Sequence, residues 1–356
     1  MKQKLLSATI ITASAFSTAA IAGDVIVYGK LNLSYNQIEK DQAGVTKQDN
    51  WELESFASRL GFKGKEAITD NLSAIYKLEY QVVPDGEGGD REFKARNSYI
   101  GLQGSWGTMI GGTHDTPTKM SQGKVDVFND YSLGDIALSI PGERRENDIL
   151  LYKTPDYQGL SFALGIMPGD DSGADGQSNK NDGFADQVSA ALTYKKDALY
   201  VGLGIDDNVN GMDIVRLTST YQLGPVQVGA MYQQAEETDL GYGKSISDNV
   251  KGPIHDVLTD YAGAFIAKQQ ESFLVSAAWK IENVVLKAQI IDSTYESKRN
   301  ELDNMAITVG ADYKFSKRTK IYAHYSQLTV DKNTKIGLNK DYQYTGTGLL
   351  GMEHKF

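Results

Sequence analysis

From residue 24 onward the chain alternates apolar or aromatic residues with polar ones over stretches of about 9 to 14 residues, which is strand periodicity. Leu72, Ala74, Tyr76, Leu78 and Tyr80 share one face, opposite Ser73, Lys77 and Glu79. Val188, Ala190, Leu192 and Tyr194 stand opposite Ser189, Thr193 and Lys195, and Ile307, Val309, Ala311, Tyr313 and Phe315 opposite Thr308, Asp312 and Lys314. Sixteen stretches are predicted, at 24–37, 51–65, 71–83, 92–104, 106–114, 148–155, 159–167, 185–197, 198–206, 212–224, 225–236, 271–282, 283–297, 304–316, 317–329 and 345–356.

Their connections alternate in length. Ser105-Trp106, Asp197-Ala198, Gly224-Pro225, Glu282-Asn283 and Ser316-Lys317 are very short, whereas 168–184 and 237–270 are long and polar. None of the seven prolines falls at a strand centre, where the missing N–H would break a ladder. No helical run, linker or low-complexity tract interrupts the pattern, so 23–356 reads as one all-β domain.

Two architectures accommodate sixteen alternating strands. A soluble sandwich buries the apolar face, while a transmembrane barrel turns it to lipid and the polar face to a wet lumen. The length of the stretches, their even number and the alternating connections favour an antiparallel transmembrane barrel, since about 9 to 11 tilted residues cross a bilayer. The 20 tyrosines against 11 phenylalanines suit interfacial girdles. A mean hydropathy of −0.38 fits a barrel in which half of each strand faces water.

The N-terminus is consistent with export. Lys2 and Lys4 precede the apolar run Leu5 to Phe16 and the Ala20-Ile21-Ala22 step, so 1–22 reads as a secretory signal peptide that is removed. Because 1–22 carries two lysines and no acid, the formal charge of −10 becomes −12 over 23–356, which disfavours nucleic-acid binding. The absence of cysteine excludes a disulfide scaffold and Cys-ligated zinc.

Four stretches then carry a family resemblance. They are Val27-Tyr28-Gly29-Lys30-Leu31-Asn32-Leu33-Ser34-Tyr35; Ser58-Arg59-Leu60-Gly61-Phe62-Lys63-Gly64; Ala95-Arg96-Asn97-Ser98-Tyr99-Ile100-Gly101-Leu102 with Gly104-Ser105-Trp106-Gly107-Thr108; and Gly351-Met352-Glu353-His354-Lys355-Phe356. In this order the chain resembles a general porin of the Gram-negative outer membrane, from its first strand to Phe356. The resemblance implies a sixteen-stranded antiparallel transmembrane β-barrel with short periplasmic turns, long external loops and an inward-folded third loop. It also implies a homotrimer in the outer membrane, in contact with lipid and lipopolysaccharide, that passively conducts small hydrophilic solutes and ions without a cofactor. Phe356, closing an aromatic-ended strand, matches the signal read by the barrel assembly machinery.

The segment 114–147 corresponds to the pore-constricting third loop, in which Asp126, Asp130 and Asp135 are the acidic candidates. It lacks the Pro-Glu-Phe-Gly-Gly run of enteric porins. On the basic wall the resemblance implies Lys30, Arg59, Arg96 and Lys153. Parity supports lumenal positions for Lys30, beside Asn32 and Ser34, and for Arg59, beside Lys63; Lys153 shares its face with Leu151. The bland alternative for each is a solvated lumen or loop charge.

Other functions fit less well. Asp170, Asp171, Asp175 and Asp182 form an acidic loop that suggests Ca²⁺ but lacks an EF-hand register. The four histidines, including His324, are widely separated and form no hydrolase pattern, which leaves only an outer-membrane hydrolase using Ser and His324 as an enzyme reading. A substrate-specific channel for sugars or anions is the main alternative, and a sugar channel needs a lumenal ladder of aromatics. A soluble secreted adhesin is the third.

Overall fold

In the computed structural model, which describes residues 25–42, 46–86, 93–131, 133–169, 183–238, 246–260, 265–298, 300–331, 338 and 341–356, the alternation resolves into a single closed sheet. Residues 1–22, expected from the sequence to be a signal peptide, and the acidic loop positions Asp170, Asp171, Asp175 and Asp182 lie outside the described residues. The sixteen strands are β1 (Ile26–Gln42), β2 (Thr46–Ser55 and Arg59–Thr69), β3 (Leu72–Gln81), β4 (Lys94–Ala95 and Ser98–Gly104), β5 (Gly107–Asp115), β6 (Arg145–Lys153), β7 (Leu160–Met167), β8 (Gln187–Lys196), β9 (Leu199–Val209), β10 (Met212–Leu223), β11 (Val226–Glu237), β12 (Gln269–Ile281), β13 (Val284–Glu296), β14 (Glu301–Lys314), β15 (Thr319–Val330) and β16 (Tyr342–Lys355).

Each strand pairs antiparallel with its sequence neighbours, and β1 closes the ring against β16 from Lys30↔Lys355 to Gln42↔Tyr342. Closure satisfies backbone groups that lipid cannot, so no edge is left exposed. The final residue completes the seam. Gly29 N–H donates to the Phe356 carbonyl (3.0 Å) and Phe356 N–H to the Gly29 carbonyl (3.1 Å). The Phe356 ring occupies the space a Cβ on Gly29 would fill.

The outward face is lipid-compatible. Leu203, Ile205, Val215, Leu217, Phe273, Val275, Ile290, Ile307 and Val309 are all exposed there. At the short-turn end Trp106, Tyr157, Tyr221, Trp279, Tyr313 and Phe315 are exposed too, as an aromatic girdle requires. Among the described residues no helix is long and apolar enough to cross a membrane, so the strands do the crossing.

The loop end departs from the sequence reading in two ways. The connection between β9 and β10 is the two-residue turn Asn210-Gly211, both at positive φ, the turn chemistry that matches strand twist. The connection between β11 and β12 is not simply a polar loop. It carries a helix, α2 (Gly252–Asp260), and Ile246, Val250, Ile254, Val257, Leu258 and Phe265 fold into the barrel mouth. There they pack with Ile136 and Ile140 of the β5–β6 loop and with inward residues such as Met212, Ile214, Leu274, Ile291, Tyr295, Leu328 and Tyr344. The inner wall from β10 to β16 is therefore apolar near the loop end because loops cover it. Tyrosines 295, 322, 342 and 344 are buried inside, although most strand aromatics follow the outward parity.

Candidate functional site

The chain between β5 and β6, residues 116–144, runs along the inner wall. It begins with α1 (Pro117–Ser121), where Thr116 caps the helix by accepting from Lys119 N–H and Pro117 fits the first turn. Thr118 N–H donates to Ser189 Oγ on β8 (3.1 Å), and Tyr200 OH on β9 donates to the Ser121 carbonyl (2.9 Å). Further round, Gln227 on β11 donates to the Lys124 carbonyl (3.0 Å), and Val127 N–H to Gln289 Oε1 on β13 (3.0 Å). Tyr131 OH donates to Asp312 on β14 (3.0 Å). The tip, Asp130, receives Lys30 Nζ of β1 at 2.7 Å.

The return limb lies on the same wall. Tyr295 OH donates to the Ser139 carbonyl (2.8 Å), Gln233 to the Pro141 carbonyl (2.9 Å), and Arg216 pairs with Glu143 at 2.6 Å. The loop thus lines the barrel from β8 round to β1 and leaves the wall from β1 to β6 open to the lumen. A polar layer clamps its tip. Asp312 joins Lys287 (2.9 Å) and Lys320 (3.2 Å), and Lys287 Nζ stands 3.9 Å from the centre of the Tyr131 ring.

Facing the loop, charged groups of the open wall converge around a cavity of about 470 Å³. Lys30 also approaches Glu353 (3.8 Å), and Arg59 stands 3.9 Å from Asp130. Glu79 accepts from Arg96 Nε (3.0 Å), Lys77 (3.1 Å) and Tyr28 OH (2.8 Å). Asp115 meets Arg145 and Lys119, both at 3.1 Å, and accepts from Asn97 (2.9 Å).

Local structure explains these positions. Arg59 follows an interruption in its strand at 56–58, and Arg96 lies within one at 96–97. Ala57 sits at φ 50°, and Arg96 N–H still donates to the Glu79 carbonyl (2.8 Å). Such irregularities re-aim side chains beside functional sites. Asp130 is itself at φ 61°, a left-handed conformation that Asp tolerates better than most residues. Its N–H bond to Asp135 Oδ2 (2.9 Å) and its ion pair hold it there.

Of the residues singled out in the sequence, Lys30, Arg59, Arg96 and Phe356 line this cavity, and Asp130 stands against Lys30 and Arg59. Asp126 and Asp135 turn into the loop. Asp126 is buried and accepts from Phe128 N–H (2.9 Å), Ile136 N–H (3.2 Å) and Gln289 (3.1 Å). Asp135 caps the short helix Ile136–Leu138 through Ala137 N–H (2.8 Å). Lys153 lies beside the short turns, roughly 26 Å along β6 from Arg145 at about 3.3 Å per residue. Sequence reasoning missed Lys77, Glu79, Asp115, Lys119 and Arg145 as site residues. Parity already put Lys77 and Glu79 on the polar face, and the Arg144-Arg145 pair ends the long loop, which was the available signal.

Protonation follows the same division. Burial, then the Asp135 charge, pushes the Asp126 carboxyl well above the ordinary range, and burial pushes Asp135 up to about 6 against its two N–H donors. The ion pair with Lys30 holds Asp130 below its usual value despite burial. A carboxyl raised above its unfolded value of about 3.9 is bound to a proton that the unfolded chain has already released. Its contribution is therefore present at acid pH and lost as pH rises from about 4 to about 6. Asp130 works oppositely, losing its contribution as pH falls through its lowered folded value. Asp135→Asn is expected to flatten the decline in stability between pH 4 and 6, because residue 135 then no longer titrates. Heat-denaturation midpoints in detergent across that range check this; an unchanged pH slope contradicts it.

A family model for the Gram-negative porin matches residues 7–333. Similar curated proteins include a major outer membrane protein P.IB of Neisseria gonorrhoeae and a P.IA of Neisseria meningitidis serogroup C. Each is 26% identical over the whole of both chains. Among solved structures, the anion-selective porin from Comamonas acidovorans superposes with a TM-score of 0.68 at 20% identity, covering 94% of this chain and 100% of that one. Salmonella typhi OmpF in complex with daunomycin gives 0.66 at 17%, covering 94% and 98%. These two are likenesses of fold.

Proposed function

This chain belongs to the Gram-negative porin family and forms an outer-membrane channel through which small hydrophilic solutes diffuse passively, and we propose that its constriction prefers anions. The observation that carries this is the charge balance at the narrowing. Among the described residues, the six cations Lys30, Arg59, Lys77, Arg96, Lys119 and Arg145 are paired there with the four carboxylates Asp130, Glu79, Asp115 and Glu353. In a confined lumen that excess of cations sets the local potential, whatever the net −10 of the whole chain.

Transport needs no bond making. Opposed charges across the gap order water and orient dipolar solutes, and an apolar solute must displace that water. The carboxylates keep the cations fixed and extended, so the field does not depend on mobile side chains. Asp130 acts from the loop; Asp126 and Asp135 act by holding the loop in shape.

The inferred assembly is a homotrimer, with 1–22 removed on export, Phe356 as the strand-end signal for barrel insertion, and lipopolysaccharide around the outward face. A sugar-specific channel is not favoured, because the inward tyrosines 295, 342 and 344 are buried beneath loops and form no accessible ladder. Nor is a hydrolase, because His324 is buried against Tyr131 and Tyr322. Purified protein in planar bilayers is expected to give discrete conductance steps that scale with salt concentration. Absence of such steps contradicts the channel reading.

A further inference from the structure

On the short-turn side of the constriction, the open wall carries a second cavity of about 790 Å³ whose lining differs from the rest of the lumen. Two adjacent register rows cross β3 to β6 there. One runs Ile75, Gly101, Ile110, Leu151, with Lys65 of β2 paired to Ile75. The other runs Ser73, Gln103, Thr108, Lys153. Ile110 and Leu151 of this row are 4% and 5% exposed, packed in a cluster with Ile149, Met167 and Val209, and they form one wall of the cavity together with Tyr99 and with Met120 of α1.

The polar row supplies the complementary charge. Lys65 and Lys153 are exposed, and among the described residues neither forms an ion pair; Lys65 donates only to Gln103 (2.9 Å). Among the described residues, Asp70 is the one carboxylate bordering the cavity. His114 spends Nδ1 on the Asp115 carbonyl (2.8 Å) while its ring lies 5.5 Å from that of Tyr99. An apolar surface with a few convergent polar groups is the usual form of a small-molecule site.

We propose that this cavity is a subsite for small amphipathic carboxylates, an aromatic or branched aliphatic acid whose carboxylate meets Lys65 and Lys153 while its body lies on Ile110, Leu151 and Tyr99. This rests on the reading of the chain as a diffusion channel and deepens it by naming a solute class that dwells in transit. An anion drawn through the constriction arrives beside two unpaired ammoniums, and only one with an apolar body gains from the neighbouring row.

The test is chloride current through single channels in planar bilayers with benzoate, acetate or benzyl alcohol added. Benzoate is expected to interrupt the current in a concentration-dependent way, and acetate and benzyl alcohol are not. Leu151→Ser is expected to raise the half-blocking benzoate concentration about fivefold through lost apolar contact. Lys153→Gln is expected to raise it about threefold through a lost exposed charge pair. Equal effects of benzoate and acetate on the unmodified channel, or an unchanged half-blocking concentration in both variants, overturn the subsite while leaving the channel reading intact. Absence of conductance steps altogether overturns that reading and the subsite with it.

Discussion

With Arg59, Arg96 and Arg145 all replaced by Gln, the channel is expected to lose its preference for anions, its chloride-to-potassium permeability ratio at 0.1 M salt falling at least about tenfold. Two unit charges about 4 Å apart in water interact by about 1 kcal/mol, and 1.4 kcal/mol is a factor of about ten. Three lumenal cations removed together therefore exceed that factor, since the change favours potassium as it disfavours chloride. The constriction should survive, because each carboxylate keeps a partner. Glu79 retains Lys77 and Tyr28, Asp115 retains Lys119 and Asn97, and Asp130 retains Lys30. Screening gives a second handle: the Debye length is about 10 Å at 0.1 M and about 3 Å at 1 M, so the difference between variant and parent must shrink as salt rises. Zero-current potentials at several salt levels read both effects, and an unchanged ratio removes these arginines from the selectivity device.

The largest stability effect is expected at Arg216. Its side chain is 0% exposed and Glu143 5%, and the pair is joined at 2.6 Å. Arg216 also donates to Gln233 (2.7 Å) and to the Pro141 carbonyl (3.3 Å), tying the return limb of the loop to β10 and β11. Removing one partner of such a pair strands the other charge without water. Arg216→Met is expected to destabilise by about 3 to 5 kcal/mol. Adding Glu143→Gln removes the stranded charge and should recover much of that loss, because a neutral pair needs far less solvation. Heat-denaturation midpoints of the two single variants and the double complete the cycle. If the double variant is as unstable as the sum of the singles, the two groups are not coupled.

The barrel was legible because period-two alternation is enforced on every strand by two solvents, lipid outside and water or loop inside. The same parity made Lys30 and Arg59 readable as lumenal, since a charge at Leu31 or Leu60 positions would face the bilayer. What parity could not show was the loop path. Asp126, Asp130 and Asp135 are chemically alike and close in sequence, yet of the three only Asp130 pairs with the basic residues of β1 and β2. Asp126 and Asp135 each accept the N–H two residues on, from Phe128 and Ala137, a local habit of Asp that competes with any pore role. Likewise Ile254, Val257 and Leu258 look like apolar residues stranded in a polar loop until Ile136 and Ile140 are brought beneath them by contacts distant in sequence. Lys153 illustrates a further limit: parity fixes the face a residue occupies and not its height in the barrel.

On the proposed reading, the sign of the constriction, and not that of the whole chain, decides which ions pass. The most direct measurement is the zero-current potential of the unmodified channel in a planar bilayer separating concentrated from dilute potassium chloride. Chloride permeating faster than potassium, so that the concentrated side becomes positive, is the predicted result. A potential of the opposite sign, potassium leading as the net acidity of the chain alone would suggest, would contradict it.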